Sequence, residues 1–98
     1  MNRGAPMPLP PDIVARIERD FGTNADGVVI RAEQLAVQSP ELFTDRIIRC
    51  ILFAARGDIS RFKHFVEATR HDPRDVLVAG ECDENWRTVR DLSQPFSG

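Results

Sequence analysis

The chain of 98 residues carries a net charge of -2, with 42% hydrophobic and 29% charged residues, which is the balance of a globular protein able to close one hydrophobic core but not two. The apolar run ending at Ala55 falls far short of the ~20 residues that a membrane-spanning helix requires. A slightly negative chain has no general attraction for phosphate backbones, and no charged-then-apolar leader opens it, so the expected location is the cytoplasm, without membrane contact.

Residues 1-10 hold three prolines and a glycine with little apolar content and read as a flexible N-terminal segment. A helical domain follows over 11-92, and 93-98 read as a C-terminal tail. Pro11 suits the first turn of a helix, Ile13, Val14, Ile17 and Phe21 recur at helical spacing, and Gly22 is placed to stop it. Thr23 or Asn24 then caps a second helix with an apolar stripe of Ala25, Val28, Val29, Ala32, Leu35 and Ala36, while Arg31, Glu33, Gln34 and Gln38 face water.

The third helix is predicted to start at Ser39 as N-cap, with Pro40 in the first helical position and Glu41 favouring the positive end of the helix dipole. From Phe43 to Ala55 its apolar residues cover more than half the circumference, the mark of a helix surrounded by neighbours. Gly57 ends it and Asp58 caps a fourth helix, with Ile59, Phe62, Phe65, Val66 and Thr69 inward and Ser60, Arg61, Lys63, Glu67 and Arg70 outward. Asp72-Pro73-Arg74-Asp75 opens a short fifth helix that runs to Gly80. Glu84 to Leu92 has the content for a further helical turn or two, returning Trp86, Val89 and Leu92 to the core. No strand is expected. The fold class is thus all-α: a single small domain of five or six short helices, in α-hairpins packed around a central buried third helix.

Few residues are left over for chemistry. Cys50 sits among Ile47, Ile51 and Ala54 as a small core residue, and Cys82 shares no metal-binding spacing with it. His64 and His71 lie two helical turns apart, near 10 Å, too far to share a metal ion without a bridging element. Arg46 and Arg49 stand on the third helix as an anion site or as structural ion pairs, with Asp45 and Asp75 as available acids, and the structural reading is preferred because an unpaired, partly buried guanidinium is costly. The acids Glu81, Asp83 and Glu84 form a hydrophilic loop without calcium-loop spacing. Trp86, just after them, is an aromatic in an acidic, weakly structured segment and so is a candidate anchor for a protein partner, equally able to cap one end of the core. No catalytic residue, metal site or cofactor is assigned.

The runs Asp45-Arg46-Ile47-Ile48-Arg49-Cys50-Ile51-Leu52-Phe53, Gly57-Asp58-Ile59-Ser60-Arg61-Phe62-Lys63 and Asp72-Pro73-Arg74-Asp75-Val76-Leu77 resemble a pattern found in short bacterial proteins of uncharacterised function. The resemblance covers the middle of the chain. It implies a bacterial, cytosolic origin and carries over no catalytic residue.

The preferred expectation is a small non-catalytic protein-interaction module, an adaptor or an inhibitor of the immunity-protein kind, using Trp86, Glu81, Asp83 and Glu84. A second reading is a protein that binds a small anion or metabolite, or an enzyme, using the face of Arg46 and Arg49 with Asp75. Helix-turn-helix DNA binding through Arg61, Lys63, His64 and Arg70 ranks last, since the net charge is negative and no second basic arm accompanies them.

Overall fold

The computed structural model describes residues 9–96. Five α-helices follow one another among them: α1 (Pro11–Phe21), α2 (Ala25–Gln38), α3 (Asp45–Ala55), α4 (Ile59–His71) and α5 (Pro73–Glu81), with a 3-10 turn, Gly22–Asn24, joining α1 to α2. The only β-feature among the described residues is an isolated antiparallel bridge between Cys82 and Thr88. Among the described residues no helix is long and apolar enough to cross a membrane.

α3 is the centre of the packing, against α5, α4 and α1. Eight of its eleven residues are buried, Arg49 among them. Its apolar side chains meet Ile13 and Ile17 of α1, Phe62 and Val66 of α4 and Val76 of α5 in one continuous core, and the removal of such a surface from water is the main force holding a domain of this size together. α2 packs chiefly on α1, contributing Val28, Ala32 and Leu35 to the same core.

The helix boundaries follow local chemistry. Gly22, at φ 52°, ends α1 where the sequence predicts. Asp58 and Asp72 each accept a backbone N–H from the first turn of the helix they open, at 3.1 Å from Arg61 and 3.0 Å from Arg74, so these two N-caps agree with the sequence reading. Three boundaries do not. α3 stops at Ala55 with Arg56, not Gly57, as its left-handed cap. Ser39 ends α2 and does not open α3; Leu42 and Phe43 donate to its carbonyl in a single turn, which buries Phe43. Thr44 then breaks the turn with an extended ψ of 166° and caps α3 through a bond from the Ile47 N–H. Both positions carry good capping residues, and Thr44 prevails because that break lets Phe43 and Ile47 both enter the core. α5 likewise passes through Gly80 and ends at Glu81.

Among the described residues no helix follows α5. Residues 82–96 run instead as a strap across α5, α3 and α1. The Asp83 carboxylate captures the N–H groups of Asn85 and Arg87 at 2.8 and 3.0 Å, taking donors that a helix would have needed. The strap then binds the Glu81 carbonyl through Val89 and Arg90 and buries Leu92. The ends expected to be loose are therefore partly docked: Leu9 is in the core and Phe96 packs against it. Residues 1–8 of the expected flexible segment and the last two residues lie outside the described residues.

Candidate functional site

Arg46 and Arg49 stand one turn apart on α3, and each meets a different acid far away in sequence. Arg46 forks onto Glu81 at 2.8 and 2.6 Å; Arg49 forks onto Asp12 at 2.9 and 3.1 Å. Each carboxylate also takes a backbone N–H from the strap, Leu92 on Glu81 at 2.9 Å and Phe96 on Asp12 at 3.0 Å. Arg49 completes its set on the Leu92 carbonyl at 3.2 Å. The acids expected as partners, Asp45 and Asp75, are exposed and join no ion pair among the described residues. α3 lies between α1 and α5, so its two arginines are answered by those helices. With both guanidinium forks occupied, Arg46, Arg49 and Asp75 do not converge into an anion site.

This geometry places Glu81 among the structural residues. It is 3% exposed and saturated by Arg46 and Leu92, so the structure removes it from the partner-binding set in which the sequence placed it. The Arg46 guanidinium holds the Glu81 carboxyl below its ordinary value of 4.5, against the opposing effect of burial. Arg49, helped by the Phe96 amide, holds Asp12 below 3.8. Both carboxyls bind protons more weakly folded than unfolded, so their stabilisation is complete above the ordinary carboxylate range and is lost as the pH falls through the folded values. The melting temperature should accordingly drop by about 5 °C or more between pH 6 and pH 3, and Glu81→Gln should flatten that profile while lowering its plateau. Thermal melts across this pH range check both.

Trp86 is presented very differently. The Asp83 hydrogen bonds and a bond from the Trp86 N–H to the Asp83 carbonyl at 3.0 Å close a tight loop. At its tip Trp86 takes a positive φ of 65°, a conformation costing an L-residue about 1 kcal/mol or more. The residue is 76% exposed. Val89 is exposed beside it in sequence, and so is Glu84. The reading of Trp86 as a cap on the core is therefore corrected: Leu92 supplies that packing, and the indole faces solvent.

The remaining candidates are accounted for locally. Cys50 is fully buried, and burial pushes its thiol up to about 12, far from a reactive thiolate. His64 and His71 are exposed on α4, and no cluster of three or more metal-ligating side chains occurs among the described residues. On the outer face of α4, Arg61 donates to the Ala54 carbonyl at 3.2 Å and Arg70 lies over the Phe43 ring at 5.6 Å, so two of the cations expected to read a DNA groove are turned back on the protein.

One feature escaped the sequence reading. A cleft of about 570 Å³ opens between α2 and α4, with Gly27 and Arg31 on one wall and Lys63 on the other. Arg31 and Lys63 read simply as water-facing positions, and the available signal was Gly27, a glycine inside a helix with no turn to make. Comparison with known protein families, with curated proteins and with solved structures finds no match.

Proposed function

We propose that this chain is a small non-catalytic protein-interaction module, an adaptor or inhibitor, that binds its partner through the loop carrying Trp86. The observation that supports this reading is the strained, hydrogen-bonded display of a large aromatic side chain to solvent. Tryptophan is a costly residue to leave exposed at positive φ, whereas glycine, asparagine or aspartate would close the same loop with less strain. Aromatic anchors of this kind dominate interface energetics because they bury much apolar area with little loss of side-chain freedom. Asp83 holds the loop in shape and Glu84 edges it with negative charge, which suits a partner whose apolar pocket is rimmed by basic groups. The alternative of an anion or metabolite site on Arg46, Arg49 and Asp75 has no geometric support, since the two arginines are spent on Glu81 and Asp12. The bacterial, cytosolic setting implied by the sequence resemblance remains part of this proposal.

The test is Trp86→Gly. Removing the side chain also relieves the backbone, so the melting temperature should stay within about 3 °C of the parent or rise. Partner capture should be lost. Trp86 is the chain's sole tryptophan, so its emission should shift to the blue when the captured protein is added back to the parent chain. A variant that retains the same partner at the same affinity, or a parent whose emission does not respond to it, would remove Trp86 from the interface.

A further inference from the structure

The cleft between α2 and α4 has a floor and a rim of opposite character. Of its lining residues, Val28, Phe62 and Val66 are buried and make the floor, whereas Arg31 is half-buried and Lys63 and Gly27 are exposed and border the opening. Neither Arg31 nor Lys63 enters an ion pair among the described residues. Glu67 also borders the cleft, but it lies 3.6 Å from Arg70, which leaves the rim with a cationic excess. Arg31 is half-buried, where a guanidinium gains most from an anionic partner.

Gly27 is the second, independent observation. It is the third residue of α2, where glycine weakens a helix relative to alanine. A Cβ built on it would meet nothing within 4 Å, so no close packing in the protein requires a bare backbone there. What the missing side chain does provide is open space on the cleft wall, where a ligand can lie against the helix backbone.

We infer that this cleft binds a small amphipathic carboxylate. Its carboxylate is held between Arg31 and Lys63, and its aliphatic or aromatic body rests over Val28, Phe62 and Val66 against Gly27. The volume falls within the range of about 300–1,000 Å³ common to small-molecule sites. This site is separate from the Trp86 loop, so either reading can fail without the other.

Decanoate, kept below its micellar concentration, is the probe, followed by calorimetry and by amide chemical shifts. Shifts should concentrate at Gly27, Arg31, Phe62, Lys63 and Val66. The neutral analogue decanol should bind about tenfold more weakly or worse, and Arg31→Gln with Lys63→Gln should cost decanoate a similar factor, because charge-assisted hydrogen bonds are lost in both cases. Gly27→Ala should separate fold from site: the melting temperature rises by about 4 °C through the better helix former, while decanoate affinity falls. Trp86→Gly should bind decanoate as the parent does. Equal binding of decanol and decanoate, shifts elsewhere, or full affinity in the double glutamine variant would overturn the inference. So would an acidic amphipathic peptide that shifts these amides when decanoate does not, since the cleft would then belong to a partner helix.

Discussion

Arg49→Ala should be among the most damaging single substitutions in this protein, lowering stability by about 3 kcal/mol or more. The residue is 4% exposed, and removal of its side chain strands two groups at once. Asp12 loses both bonds of its fork, and the Leu92 carbonyl loses a donor in a buried setting. An uncompensated charge next to a core costs far more than the net worth of the pair that contained it. A chain of this length has about 5–15 kcal/mol of stability in all, so the melting temperature should fall by about 15 °C or more. Arg49→Lys should lose an intermediate amount, because one ammonium cannot fork onto Asp12 and still reach Leu92. The damage should also be localised. Amide exchange at Phe96, whose N–H rests on Asp12, should accelerate before exchange in α4 does. If Arg49→Ala melts like the parent, the strap is held by its bonds to Glu81 and by Leu92 packing, and the Arg49–Asp12 pair is incidental.

That pair also marks how far the sequence could be read. The structural role of Arg49 was legible, because an arginine on an otherwise apolar helix must find an acid when buried. Its partner was not legible. Asp12 lies 37 residues away, and only the packing of α1 on α3 brings the two together, whereas the sequence offers Asp45 on the same helix and Asp75 on a later one as available acids. Helix positions were readable wherever a single cap and a single stop agreed, as at Gly22, Asp58 and Asp72. They failed at Ser39 and Thr44, where two competent caps stand five residues apart and burial of Phe43 decides between them. The segment after Glu81 failed for another reason. Its apolar positions Trp86, Val89 and Leu92 have helical spacing, but Asp83 takes the amides locally, and only Leu92 goes in. The cleft was hidden because a cleft is a property of two helices together, and α2 and α4 are far apart in sequence.

Gly80→Ala should destabilise the protein by about 2 kcal/mol, a net of two opposing effects. Alanine gains up to about 1 kcal/mol over glycine inside a helix. Overpacking a tight contact costs about 1–3 kcal/mol, and more when the obstacle is backbone. At this site a Cβ would lie 2.6 Å from Cys50 Cβ, 2.7 Å from its Cα and 2.8 Å from its Sγ. No rotamer change of Cys50 moves the first two atoms, so α5 must shift away from α3 and the packing loss outweighs the helix gain. The melting temperature should fall by about 10 °C. Cys50→Ala in the same chain should restore less than half of that, because it removes only the sulfur. The displacement carries a further consequence, since the next residue is Glu81. Moving α5 lengthens the fork from Arg46 to Glu81 and loosens the Leu92 N–H bond, so Glu81 should titrate closer to its ordinary value and the acid-induced loss of stability should be shallower than in the parent. A Gly80→Ala protein with parental stability would mean that α3 and α5 can separate freely. A destabilised one with an unchanged acid profile would mean that the strap follows Glu81 without depending on where α5 sits. The same substitution at Gly27, with the same gain in helix propensity and nothing to meet, should move stability in the opposite direction.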